Sequence, residues 1–532
     1  MAVDSSVMMA ITVMYLGIVL LLAYFGYRKT KIAEDYMVAG RKINPVVLAL
    51  SYGATFISTS AIVGFGGLAG QLGMGLLWLT VFNIGVGILI AFVVFGKKTR
   101  EIGHRLKAVT FPDLMGKCFG SGFLRDASAL IIMVGMPLYT AAILIGGARF
   151  IETTLNISYN TALIGFAAIV AGYVIIGGLI AVMYTDALQG TLMAIGMSIL
   201  LVFTYVKLGG ITAAHESLSL LTSNVSEGLQ AAGHTGWTSM PSLGSSLWYT
   251  LVTTIVLGVG IGVLAQPQLI VRFMTVKDER SLNRAVLVGG PFILLMTGVA
   301  FTVGALTNVY FYNTTGQTAL AAAGGNVDSI IPNYINSAMP DIFIVLFMLV
   351  LLSAAMSTLS SLFHTMGTAV GHDLFNRGGD AKDSLVKSQI ATVIMICASV
   401  LVAYLLPGSI IARATAMFMG LCASALLPAF VMALYSKRPS SLAAKVSLVT
   451  GAAVWFAWTA FVHVKEADPL GISQAIFGKT ALLEMPWTVV DPLVIALPLS
   501  TIALIGVWLI EKRSPNFEAS EDIVPTPVVE ND

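Results

Sequence analysis

Five hydroxyl side chains stand within nine residues of an otherwise apolar stretch. They are Ser353, Ser357, Thr358, Ser360 and Ser361, between residues 342 and 370. On a helix turning about 100° per residue, Ala354, Ser357, Thr358 and Ser361 fall three and four apart and share one face. Ser360 lies beside that face, next to Ser357. A single Ser or Thr in such a helix bonds back to its own carbonyls or to a neighbouring helix. A cluster of uncharged oxygens at hydrocarbon depth also suits a hard monovalent cation, which takes oxygen ligands. One helix supplies only part of such a cage, so another element must bring more oxygens.

Two stretches are built to expose backbone oxygens. Ser51-Tyr52-Gly53-Ala54-Thr55-Phe56-Ile57-Ser58-Thr59-Ser60 mixes small and hydroxyl residues in the middle of an apolar segment, and Gly258-Val259-Gly260-Ile261-Gly262 precedes Gln266-Pro267 in another. Glycine loosens a helix and proline removes a backbone donor. Either stretch alone is equally consistent with close helix packing through small residues.

The elements that hold these residues are membrane spans. Of the 532 residues, 57% are hydrophobic and 11% charged, against about 25% charged in soluble domains. Windows of about 20 apolar residues predict thirteen spans: 7–27, 45–73, 75–96, 123–153, 159–180, 183–206, 246–273, 286–312, 342–370, 386–406, 408–435, 441–463 and 488–510. The fold class expected is an all-α polytopic membrane protein. Asp4 precedes the first span, and Arg28, Lys29 and Lys31 follow it; a signal peptide has the reverse order, so this span is expected to be a retained leading helix. Cys118, Cys397 and Cys422 have neither disulfide nor metal-ligand spacing. The net charge of +2 does not point to nucleic acid.

An odd number of spans places the termini on opposite sides. With the N-terminus outside, 23 of the 29 Lys and Arg residues fall in the connections assigned to the cytoplasm, four of them in the 272–285 region, and the outer connections hold only Lys207, Lys465 and Lys479. This bias supports the whole count. The outer connections 207–245 and 313–341 are expected to carry short surface helices. The two broken spans open two successive five-helix units, which cross in opposite senses because five is odd. Interrupted spans at matching positions of two halves indicate an inverted-repeat transporter with its site at the breaks.

Several stretches carry a resemblance from Gly40 to about Arg438. They are Gly40-Arg41, the segment 54–64, the segment 147–154, Gly177-Gly178 with Thr185-Asp186 and Gln189, Gln266-Pro267 through Arg272-Phe273, and Ala354 through Ser361. Together they resemble the sodium/solute symporter family, the region of Arg149 being most similar to proline carriers and segment 54–64 to pantothenate carriers. The resemblance implies a leucine-transporter-type fold of 5+5 helices with one leading and two trailing helices. One transporter domain is expected over 1–510, with the leading helix 7–27, repeats 45–206 and 246–435 and trailing helices 441–510, and the polar composition of 511–532 predicts a disordered cytoplasmic tail. It also implies a first sodium site from the carbonyls of Ala54, Ile57 and Ala354 and the hydroxyls of Ser357 and Thr358. A second site, found in some members, would use Asp186, Ser360 and Ser361. From the residues alone, Asp186 is either such an intramembrane functional acid or a helix-capping acid. Arg41 matches an arginine coupled to sodium use in proline carriers and is equally a cytoplasmic loop charge. Arg149 is either a snorkelling or ion-paired residue or a partner for a solute carboxylate.

The departures bear on the solute. Phe56 stands where proline carriers hold an aspartate, and Val259 and Val263 where they hold aromatic residues. With Ser58 and Thr59 these residues are expected to line the solute cavity. An apolar cavity beside a sodium ion suits a small monocarboxylate or a pantothenate-like anion; sodium/proline symport is the alternative, and a membrane solute sensor or a channel are the readings from other classes. The expected ligands are sodium ions and a small organic solute in a cell-membrane protein that is not an enzyme. No other cofactor is expected; the residues leave the oligomeric state open, and a monomer could suffice.

Overall fold

A computed structural model describes residues 5–513 apart from 156, 377–380 and 407–410. Among the described residues all regular structure is helical, and eleven helices are long and apolar enough to cross a membrane. Two of these are too long for one crossing: Ser60–Arg105 has 46 residues and Tyr159–Lys207 has 49. At about 1.5 Å per residue each is at least twice a hydrocarbon core of about 30 Å. Each is interrupted by a glycine in a conformation that side chains avoid, Gly73 at φ 81, ψ −161 and Gly178 at φ 58, ψ −157. The expected separation of 159–180 from 183–206 therefore occurs as a bend at Gly178 within Tyr159–Lys207.

Both expected breaks are present. The first half-helix Pro45–Phe56 begins at Asn44, whose side chain accepts from Val46 N, with Pro45 at the first position. It ends at Ile57, where ψ of 84 leaves the helical range. The chain resumes as a π-helical turn Ser60–Gly64 leading into Phe65–Leu72. The second break is at Gln266, extended at ψ 112, between Val263–Ala265 and the short helix Pro267–Phe273. Such π segments relax the ladder locally and recur next to functional sites; another, Thr250–Val259, leads toward the second break.

The helix with the hydroxyl stripe, Asp341–Thr368, packs on Tyr159–Lys207, Gly122–Leu155 and the first half-helix. The leading helix Ser5–Lys29 lies along Tyr159–Lys207, and Tyr15 Oη is 2.8 Å from Ser353 Oγ. This contact takes Ser353 out of the stripe. The trailing helices Ser441–Phe461 and Pro492–Arg513 pack on each other and on Ile411–Tyr435. Residues 511–513 complete that last helix, so the expected tail does not begin at 511; 514–532 lie outside the described residues, as does the start of the 408–435 span. The connections 207–245 and 313–341 carry the short helices Ile211–Leu220, Glu227–Ala231 and Ile330–Ala338.

Candidate functional site

The first break determines where backbone oxygens become free. In an unbroken helix Ser58 N would bond to Ala54 O and Ala61 N to Ile57 O. Here Ser58 N donates to Phe56 O (3.2 Å) and Ala61 N to Ser58 O (3.0 Å). The carbonyls of Ala54 and Ile57 thereby lose their helical partners. The stripe helix meets this end: Ser357 Oγ donates to Ala54 O at 2.9 Å and lies 3.2 Å from Ala354 O. Thr358 Oγ1 donates to Thr55 O at 3.0 Å. Of the expected first set, Ala54, Ala354 and Ser357 are joined directly, Thr358 reaches the neighbouring carbonyl, and Ile57 ends the half-helix beside them. All five are buried. Three neutral oxygens, Ala54 O, Ala354 O and Ser357 Oγ, lie within hydrogen-bond reach and can turn their lone pairs on a small cation once the hydroxyl proton rotates away.

Behind this set stands an ion pair that the residue pattern did not suggest. Asp186 and Arg272 are 0% and 1% exposed, with Arg272 Nη2 2.9 Å from Asp186 Oδ2. Asp186 lies in mid-helix, beyond the bend at Gly178, so it is not a cap. Its Oδ2 accepts from Ser51 Oγ (2.8 Å) and Thr55 Oγ1 (3.3 Å), and its Oδ1 from Ser360 Oγ (3.4 Å). Arg272 Nη2 also donates to Thr55 Oγ1 (2.6 Å) and Ser361 Oγ (2.5 Å), its Nε to Ser51 Oγ (3.0 Å) and its Nη1 to Gln268 O (2.5 Å). The guanidinium thus holds two of the three residues expected for a second cation, Asp186 and Ser361, while Ser360 meets the far oxygen of Asp186. Arg272 is buried in the bundle and corrects the count that put it among the loop charges; with it removed, the charge bias is nearly unchanged. The signal that was available is its position six residues after Gln266, on the seven-residue helix that follows the second break.

Around the break the expected solute residues divide into two groups. Phe56 and Val263 converge: a methyl group at Gly87 would lie 3.3 Å from the Phe56 ring and 3.5 Å from Val263 Cγ1. Val259 is buried on the preceding turn. Ser58 Oγ accepts from Ser60 N (3.1 Å), and Ser60 Oγ accepts from Thr415 Oγ1 (2.8 Å), which ties the break to Ile411–Tyr435. Thr59 is fully buried with its hydroxyl unpartnered, and both amide atoms of Gln189, one turn beyond Asp186, are likewise unpartnered. Arg41 lies apart from this cluster: Nε meets Glu34 Oε1 (2.6 Å) and Nη2 donates to Ala108 O (2.7 Å). Arg149 pairs with Glu152 (2.9 Å) and covers the Tyr159 ring at 4.2 Å.

The family model of the sodium:solute symporter family matches residues 36–451. The chain is similar to the osmoregulated proline transporter of Bacillus subtilis, 26% identical over 87% of this chain and 90% of the relative. It is also similar to the sodium/pantothenate symporter of Haemophilus influenzae, 28% identical over 82% of this chain and 87% of the relative. A solved structure of a Na+-coupled sialic acid symporter, substrate-bound and outward-open, covers 94% of this chain and 97% of its own, with a TM-score of 0.74 at 18% identity; that likeness shows the fold.

Proposed function

Because the chain belongs to the sodium:solute symporter family, we propose that it is a secondary active symporter that imports a small organic anion with sodium by alternating access. It performs no covalent chemistry. The observation that carries this reading is the meeting of Ser357 Oγ with the freed Ala54 carbonyl at 2.9 Å. We assign the first sodium to Ala54, Ile57, Ala354, Ser357 and Thr358. Asp186, Ser360 and Ser361 form the second cation subsite, where Arg272 and a sodium ion alternate; sodium enters as the guanidinium draws back. Splitting the two long helices at Gly73 and Gly178 and counting each broken span once yields thirteen crossings, with the N-terminus outside and the C-terminus in the cytoplasm of a cell membrane. Residues 1–510 act as one transport domain.

Phe56, Val263 and Val259 form the apolar wall of the solute cavity, with Ser58 and the unpartnered Thr59 hydroxyl as its polar groups. That wall offers an ammonium group no carboxylate, and it favours a monocarboxylate or pantothenate-like anion over proline. The proline reading is kept as the second because of the proline-transporting relative. The test is uptake into proteoliposomes under a sodium or potassium gradient. Acetate, propionate, pyruvate or pantothenate should compete more strongly than proline or hexoses, and only with sodium. Ser357→Ala and Thr358→Ala should each raise the sodium needed for half-maximal uptake about tenfold, the loss of roughly 1.4 kcal/mol of binding. Uptake that depends equally on potassium, or unchanged sodium dependence in both variants, would refute the sodium site. Proline uptake that no monocarboxylate inhibits would refute the solute class alone.

A further inference from the structure

At the far end of the stripe helix, outside the transport site, two carboxylates and an imidazole converge. One ligand atom each from Asp113, His372 and Asp373 lies within 4.8 Å of the others. Asp113 sits in the helix Phe111–Phe119, and His372 and Asp373 lie in the π segment Ala369–Asn376 that continues the stripe helix. The three line a cavity of about 390 Å³ together with Lys117, Ser121 and Arg125.

The carboxylate oxygens are not all satisfied. Asp373 is 1% exposed. Its Oδ2 accepts from Thr110 Oγ1 at 2.8 Å, whereas its Oδ1 is buried without a partner. Asp113 Oδ2 accepts from Val109 N (3.0 Å) and from the Lys117 ammonium (2.8 Å). Two acids this close, one with an orphaned oxygen, are costly to keep without a cation. Lys117 supplies one charge, on a side chain 40% exposed whose ammonium also donates to Lys107 O at 3.0 Å. Arg125 at the cavity edge pairs with its neighbour Asp126 (3.0 Å). His372 is oriented from outside the cluster: Nδ1 is 2.6 Å from Ser384 Oγ. With Nδ1–H donating there, Nε2 keeps its lone pair, the arrangement in which a histidine ligates a metal.

We propose that Asp113, His372 and Asp373 form a binding site for a divalent first-row transition ion of the zinc class, on the side of the 97–121 connection. The ion replaces Lys117 as the partner of Asp113. One imidazole and two carboxylates are a donor set for zinc, cobalt or nickel rather than for magnesium or calcium, which prefer oxygen throughout. Three protein ligands leave a fourth position for water from the cavity. Bound there, the ion ties the stripe helix to Phe111–Phe119 and, through Ser384, to Ala381–Leu405.

The test is titration of the metal-stripped, purified full chain in detergent, with Zn2+ by calorimetry and with Co2+ by visible absorption. One equivalent should bind, with the intense absorption of a four-coordinate cobalt site. His372→Ala and Asp373→Asn should each weaken binding at least about tenfold, and His215→Ala, in an outer connection, should not. Lys117→Gln should tighten binding, an opposite sign that no misfolded variant would give. Unfolding midpoints of the variants in chelator should match the unmutated chain. Absence of stoichiometric Zn2+ binding would overturn the site. So would binding unaffected by both His372→Ala and Lys117→Gln, or magnesium bound as tightly as zinc.

Discussion

Asp186 and Arg272 are each other's counter-charge in a fully buried place, and each also holds a hydroxyl of Ser51 or Thr55. Removing one member of such a pair leaves a buried charge and costs about 3–5 kcal/mol. Asp186→Asn alone should therefore lower the unfolding midpoint sharply, and Asp186→Asn combined with Arg272→Gln should recover most of the loss. The double variant is the right background for counting sodium. With a monoanionic solute, two sodium ions carry one net charge, about 2.3 kcal/mol per 100 mV, and one sodium ion carries none. Reversal potentials in proteoliposomes should give a ratio of two for the unmutated chain and one for the double variant, with the sigmoid sodium dependence flattened. A ratio of one in the unmutated chain would leave the pair a structural tie. At this scale the stripe was legible because serine and threonine spacing on a helix is local information. Arg272 was not, because an arginine after Pro267 and before the loop lysine Lys277 has the pattern of a loop charge, and its reach back between three other helices is a tertiary fact.

The helices carry the site because two glycines allow their neighbours to bend. At Gly178 the backbone stands at φ 58, ψ −157, a region almost closed to side chains. A methyl group there would meet Tyr36 Cδ2 at 2.5 Å and the Tyr36 carbonyl oxygen at 2.8 Å. The carbonyl belongs to the backbone, and the same oxygen is 2.8 Å from His364 Nε2 of the stripe helix, so it cannot easily yield. Gly178→Ala should cost at least about 2 kcal/mol, strain and overlap together. Gly172→Ala, on the same helix with open space around it, should be neutral or stabilising by up to about 1 kcal/mol. Thermal unfolding of the two variants side by side checks this, and equal midpoints would show that the bend is not required. Both broken spans were legible in the sequence, since glycine clusters and Gln266-Pro267 act through local backbone chemistry. The bend at Gly178 was read only as a gap between two spans. An αR-like helix on both sides of one glycine has the same hydropathy as a loop of two residues, and only the dihedral angles distinguish them.

At the scale of the whole molecule, two cavities of about 210 and 390 Å³ lie beside the second half of the broken span, an entrance that a solute could use to reach the break. Asp328 lines both; Arg413, Lys465, His463 and Glu466 line the first, and Arg149 and Glu152 the second. Asp328 belongs to the connection before the stripe helix. Burial pushes its carboxyl up to about 6, with the Ile411 backbone N–H working against the shift, and its Oδ2 has no partner. Above pH 6 the carboxylate repels an approaching anion and offsets Arg413 and Lys465; below pH 6 it is neutral and the entrance becomes more positive. Encounter rates follow such local potentials and fall with salt. At limiting anionic solute and a fixed sodium gradient, acidifying the outer solution from pH 7 to 5 should raise the initial uptake rate about two- to threefold, with a midpoint near 6. Added salt should shrink the effect. Asp328→Asn should show the low-pH rate throughout, because its side chain is neutral at every pH, and the solute's own protonation is the same for both proteins. An acid stimulation that survives in Asp328→Asn would assign the response to the solute or to another group and remove Asp328 from control of the entrance.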